Sequence, residues 1–297
     1  MMPDMDLADL SASEPSRQQA GNLHGPGDPP PWRCLDGRDQ RALLLCDHAS
    51  NHVPAVLANL GLAAAELRRH IASDLHADEL TVLLAGQLRL PAIFHGCSRL
   101  VVDANRFLND PSLCPAESDD TPVPGNAALD AQQRQQRWQQ LHQPYHDAIA
   151  RWIDQRQADG AFPALIAIHT FTAGLRAGGG PRPWQIGVLW NQDGRMALPF
   201  MAWMRDREGL TVGDNEPYSG RDGFGYTMAV HAEARGLPHL LIEVRQDLLA
   251  TPAQRQEWAT RLACAIQPLL DDATLLQPWP ATAERGDSPG RAGDDRD

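Results

Sequence analysis

Short, wholly apolar runs alternate along the chain with longer stretches in which apolar residues recur every three or four positions. The run Ala42–Cys46 (ALLLC) is too short for a helix and predicts a buried strand. Similar runs predict strands at 91–94, 100–102, 164–168, 185–190, 210–212 and 239–244. Helical spacing covers 64–71, 76–88, 195–207, 227–235 and 252–270. A long polar helix is predicted over 127–157, with Trp138, Leu141, Tyr145, Ile149 and Trp152 on its apolar face. The segment 108–126 holds four prolines and a glycine and reads as a loop; 172–183 and 219–226 are Gly-rich loops. Strands alternating with helices predict an α/β fold: a single domain with a mostly parallel or mixed central sheet and helices on both faces. In such sheets, sites gather beyond the carboxyl ends of the strands.

Composition sets the limits of that domain. Residues 1–38 are rich in Pro, Gly, Asp, Ser and Gln, and 281–297 are similar, so both read as disordered tails. The remaining 39–280, about 240 residues, suits one α/β domain with a full core. Of 297 residues, 26 are basic and 38 acidic, a net charge of −12 that argues against a nucleic-acid binder. No apolar run reaches the ~20 residues that span a bilayer, and the acidic N-terminus has no apolar core of a secretory signal. Five cysteines without a C-x-x-C pair point to a reduced, cytoplasmic protein.

Candidate chemistry falls where predicted strands end. ALLLC runs into Asp47-His48, LVV into Asp103-Ala104-Asn105-Arg106, ALIAI into His169-Thr170, and HLLI into Glu243-Val244-Arg245. A catalytic zinc takes three protein ligands, commonly His and carboxylate, and keeps a fourth position open. His48 and His169 supply two; Asp74, Asp47 and Asp78 compete for the third. Two pairs, His48/His52 and His142/His146, have i, i+4 spacing. The first precedes Pro54 at a strand exit, and the second lacks an internal glutamate, so His142 and His146 read as structural. Glu243 is the candidate general base. Arg99, Arg106 and Arg245 gather near the same rim, and an arginine fork suits a carboxylate, which points to an anionic substrate.

Taken together, CDHASNHVP (46–54), SDLHADEL (73–80), SRLVVDANR (98–106), PYH (144–146), IHTFT (168–172), RPWQIGVLW (182–190), NEPYSG (215–220) and IEVRQDLL (242–249) resemble the N-formylglutamate amidohydrolase family, in the family's order and over nearly the whole core. The resemblance implies a hydrolase fold like that of zinc carboxypeptidases and zinc-dependent amidases. By position it implies one Zn²⁺ on His48, Asp74 and His169, with Glu243 as base and Arg99 polarising the scissile carbonyl. Asn105 and Arg106 would hold a substrate carboxylate, with Tyr218 and Arg245 as further substrate contacts. The implied reaction is hydrolysis of a small anionic N-acyl amino acid such as N-formyl-L-glutamate. The alternatives are a deacylase or peptidase on another acidic N-acyl compound, or a non-catalytic binder of acidic metabolites. Where formylglutamate-specific members tend to carry Ser-Pro, this chain has Cys46-Asp47 before the first histidine.

Overall fold

The computed structural model describes residues 22–178, 180–222 and 225–279. In chain order its strands are β1 (Trp32–Leu35), β2 (Ala42–Cys46), β3 (Ala92–His95), β4 (Glu117–Ser118), β5 (Thr121–Pro122), β6 (Ala164–Phe171), β7 (Ile186–Leu189), β8 (Val212–Asp214) and β9 (His239–Arg245). The α-helices are α1 (Ala77–Leu88), α2 (Ala131–Arg137), α3 (Gln143–Ala158), α4 (Ala197–Asp206), α5 (Tyr226–His231) and α6 (Pro252–Asp271). Seven strands form one sheet in the order β1-β3-β2-β6-β9-β7-β8. The centre, β3-β2-β6-β9, is parallel, whereas β1 runs antiparallel to β3, and β7 antiparallel to β9. This is the mixed α/β sheet expected from the alternation.

The apolar runs are continuous because both faces of the central strands are covered. Along β2, Leu44 and Cys46 pack with Leu80, Leu84, Trp258 and Leu262 of α1 and α6. Leu43 and Leu45 point the other way, against Tyr145 and Ile149 of α3 and Met228 of α5. A third cluster sits outside the sheet. Leu60, Leu67, Ile71, Leu100, Val101, Val102, Leu113, Val123 and Leu141 form a small core under the loops beside the carboxyl rim.

That satellite core explains one misread element. Residues 100 and 101 lie in a turn and 102 in irregular chain rather than in a strand, with Val101 N–H donating to the Ser98 carbonyl. All three side chains are fully buried. A three-residue apolar run carries no period, so burial under loops and burial in a sheet look alike. Helix 64–71 contracts to a 3₁₀ turn at Glu66–Arg68. The long helix starts at Ala131, where Asp130 and Gln133 make a capping box, and a π turn at Trp138–His142 divides it into α2 and α3. The N-terminal boundary at residue 38 is also corrected: β1 pairs with β3, Leu23 is buried, and Gly96 N–H donates to the Pro31 carbonyl. The tail assignments at 1–21 and 281–297 lie outside the described residues. No helix among the described residues is long and apolar enough to cross a membrane.

Candidate active site

The parallel strands β2, β6 and β9 deliver their carboxyl ends to one rim. His169 on β6 and Glu243 on β9 are direct register partners, and His48 lies two residues beyond β2. Asp74 comes from the turn before α1. Its N–H donates to the His48 carbonyl, which ties that turn to the end of β2. His76, not Asp74, occupies the cap position of α1, so the Asp74 carboxylate is left to face the histidines.

One atom each from His48, Asp74 and His169 can be chosen so that all lie within 4.8 Å of one another, and all three residues are buried. Asp74 Oδ2 is 2.9 Å from His169 Nδ1 and 3.3 Å from His48 Nδ1. The opposite ring nitrogens are also engaged. His48 Nε2 is 2.8 Å from Asp103 Oδ1, and His169 Nε2 is 3.2 Å from Asp47 Oδ2. A carboxylate on the outer nitrogen orients the ring and leaves the inner lone pair for a cation. Two imidazoles, one carboxylate and these outer partners are the donor chemistry of a zinc-type site. Asp47 is further fixed by the Tyr145 hydroxyl at 2.7 Å and the Thr227 hydroxyl at 2.9 Å. Asp78, the other rival ligand, is on the outer side of α1 and pairs with Arg33. His52 pairs with Asp28 at 3.1 Å, so the His48/His52 spacing does not make a chelate.

Electrostatics follow from this burial. Burial and Arg99 disfavour a charged His48, but Asp103 and Asp74 outweigh them and raise its pKa. Burial likewise opposes a charged His169, and hydrogen bonds to Asp47 and Asp74 raise it well above its ordinary value. Asp74 and Asp103 are held far below the carboxylate range despite their burial, Asp74 chiefly by His48 and Asp103 chiefly by Arg99. Glu243 goes the other way: burial pushes it up to about 7. Its Oε2 is buried without a hydrogen-bond partner among the described residues.

These groups line a cleft that, together with its open mouth, encloses about 580 Å³. Arg99, Asn105, Arg106 and Tyr218 share its walls with His48, Asp74, His169 and Glu243. Arg99 is anchored by Asp103 at 2.9 Å and Asp74 at 3.3 Å. Arg106 donates to the Asn105 carbonyl and the Ser112 hydroxyl. Arg245 does not line the cleft. It bonds Asp247 at 2.8 Å and reaches the carbonyls of 182–184, holding that segment on β9.

Two residues of the PYH region have a role that spacing did not reveal. His146 Nε2 lies 2.8 Å from the Ala104 carbonyl, and His142 Nε2 lies 3.2 Å from the Arg106 carbonyl. They therefore grip the backbone on both sides of Asn105. Burial lowers His142 to about 3 and His146 well below its usual value, so both rings are neutral donors. Asn105 Oδ1 in turn accepts from Thr227 N–H at 3.0 Å. The part played by Asp47, Asp103, Tyr145 and Thr227 was also missed; an acid next to a histidine in sequence was a signal for Asp47, but Thr227 carries none.

The pattern of the N-formylglutamate amidohydrolase family matches residues 40–250. A gene product of Agrobacterium tumefaciens of known structure is 31% identical, with a TM-score of 0.80 over 85% of this chain and 99% of that one. The N-formylglutamate amidohydrolase of Ralstonia eutropha is 19% identical, with a TM-score of 0.60 over 81% of this chain and 97% of that one, a likeness of fold. No functionally curated protein matches. With the family pattern spanning six of the seven strands of the sheet and every residue that lines the cleft, the chain belongs to the N-formylglutamate amidohydrolase family.

Proposed function

We propose that the protein hydrolyses the amide of an N-acyl amino acid, an N-formyl compound such as N-formyl-L-glutamate foremost, with a divalent ion of the zinc kind held by His48, Asp74 and His169. The observation that carries this reading is Glu243. It is a buried carboxylate with one oxygen unpaired among the described residues, beside His169 in the sheet and in the same cleft as the three donors. A bound divalent ion would supply Lewis acidity to the water and to the acyl oxygen. Glu243, raised to about 7, is suited both to accept a proton from the attacking water and to return it to the departing nitrogen. The new bond is C–O, the broken bond C–N, and the products are formate (or another carboxylic acid) and the amino acid. Arg99, fixed by two aspartates, offsets negative charge that develops on the acyl oxygen. Asn105 and Arg106 orient the substrate by its α-carboxylate, with Tyr218 at the mouth.

The test combines metal content with turnover of N-formyl amino acids and their carboxamides. Wild type should hold about one divalent ion per chain and prefer the free acids. Glu243→Gln should keep the ion and lose about 10²–10⁴ in kcat. Equal turnover of acid and carboxamide would remove the carboxylate clamp, and normal turnover by loaded Glu243→Gln protein would remove the base.

A further inference from the structure

His146 on α3 meets a second buried histidine, His231, at the end of α5. His146 Nδ1 lies 3.0 Å from His231 Nε2, and His146 Nε2 lies 2.8 Å from the Ala104 carbonyl. The ring planes are 12° apart with centroids 5.1 Å from each other, so the rings meet end to end. The order of donors follows by elimination. A carbonyl oxygen accepts and cannot donate, so His146 carries its proton on Nε2. Burial, then the neighbouring His142 and His231, hold His146 well below its usual pKa, so the ring is neutral and its Nδ1 is a bare lone pair. His231 must then donate from Nε2. Burial lowers His231 to about 4, so it too is neutral, and its own Nδ1 is left without a proton. That atom is buried and has no partner among the described residues.

This chain of donation ends beside the cleft. Ala104 precedes Asn105 and Arg106, which line it. The same helix grips the loop a second time: the Thr227 N–H donates to Asn105 Oδ1 at 3.0 Å, and the Tyr226 N–H to the Asn105 carbonyl at 3.2 Å. Thr227 and His231 are four residues apart, so one turn of α5 separates the two grips. The Thr227 bond also fixes the Asn105 amide. With its oxygen spent there, the group Asn105 can offer a ligand is its NH₂, a donor suited to a carboxylate. His142 gives the contrast. Its Nε2 meets the Arg106 carbonyl, but its Nδ1 has no partner among the described residues. Of the two histidines on this loop, His146 is the one held from behind.

We infer that His231 is a positioning residue for binding of the substrate carboxylate: it donates to His146, and His146 holds the Ala104 carbonyl so that Asn105 and Arg106 stay in place on the cleft wall. The inference rests on the reading of Asn105 and Arg106 as a carboxylate clamp. Donation into Nδ1 polarises the opposite N–H of the same ring and strengthens its bond to the carbonyl. It also fixes the ring at both ends, so the loop inherits the rigidity of α5. His231 is not among the residues that line the cleft, so its removal acts through the loop and not on the reacting atoms.

The experiment compares wild type with His231→Leu, which removes the donor at similar volume, and with His231→Gln, whose amide nitrogen stands as many bonds from the backbone as Nε2 does. Turnover of N-formyl-L-glutamate and of its α-carboxamide is measured in each, with calorimetric binding of both compounds to the same proteins carrying Glu243→Gln. His231→Leu should lower the preference for acid over carboxamide about 3- to 10-fold, the scale of one neutral hydrogen bond, and chiefly through KM. His231→Gln should restore it to within about twofold. Equal losses on acid and carboxamide, or equal behaviour of the Leu and Gln variants, would make His231 a packing residue and overturn the inference. Nitrogen–proton NMR of the wild-type rings needs no variant: both should be neutral with the proton on Nε2, and a proton on Nδ1 of either ring overturns the order of donors. If wild type shows no preference for the acid in turnover or binding, the carboxylate clamp fails and takes the inference with it. A preference that is present but indifferent to His231→Leu overturns the inference alone.

Discussion

The carboxylates of Asp47 and Asp103 lie on the far sides of His169 and His48 from Asp74. A ring that held a cation on its inward nitrogen would keep its proton on the outward, carboxylate side. Asp103→Asn should weaken metal binding by about 10- to 100-fold, the usual cost of losing such a partner, with the fold retained; titration with a chelator-buffered metal series measures it, and an unchanged affinity would show that the ring is held by other means. The same carboxylates would make a proton compete with a bound cation. Both histidines have raised pKa values, so protonated rings persist to higher pH than usual. Metal uptake should release protons, and affinity should fall as pH drops through that raised range, by up to about tenfold per pH unit for each proton displaced. Affinities at three pH values with proton release followed in weak buffer test this; a flat profile would mean the rings are neutral beforehand. His48, His169 and Glu243 were legible in the sequence because an apolar run that ends in a polar residue marks a rim. Arg245 was misplaced by the same logic: it also follows a buried strand, but its guanidinium turns to Asp247 and the 182–184 backbone rather than to the cleft.

At the level of elements, the π turn Trp138–His142 couples the satellite core to the cleft. On its N-terminal side, buried Arg137 donates to the Val101 carbonyl at 2.9 Å and to Asn126 at 2.7 Å. On its C-terminal side, His142 and His146 hold the Asn105 loop. One residue corresponds to about 100° of helix rotation, so α2 and α3 can face both targets only with this turn between them. Deleting exposed Gln139 should cost one set of these bonds and lower the melting temperature by about 5 °C or more, whereas Gln139→Ala should be nearly neutral. Equal melting temperatures for the two variants would show that the turn is dispensable. Helical periodicity predicted one helix across 127–157 because i, i+4 spacing survives a single wide turn almost unchanged. The run 100–102 was equally opaque, since its burial is supplied by Leu60, Leu113, Val123 and other loop residues distant in sequence.

For the molecule as a whole, the N-terminal segment is part of the fold from residue 22 onward. Asp28 accepts from the Ala55 N–H and pairs with His52, and β1 extends the sheet past β3. Polar, proline-rich composition hid this, because β1 contributes backbone pairing with few buried side chains. Deleting 1–36 should lower the melting temperature by about 5 °C or more, read by calorimetry, while a protein beginning at residue 22 keeps every bond named here. An unaltered melting temperature in the longer deletion would make β1 an ornament of the edge. The chain carries a net charge of −12, yet Arg99 and Arg106 line the cleft and Arg182 stands next to Tyr218. The pairing of His169 with Glu243 across β6 and β9 has a last consequence. Their separation is the pitch of the sheet itself, ~4.8 Å, so the ruler for the chemistry lies in the scaffold and not in any loop. Asn105, Arg106 and Tyr218, which share the cleft with them, stand instead on segments outside the strands. A designer could exchange those segments for a relative's while the spacing between His169 and Glu243 stays as the sheet sets it.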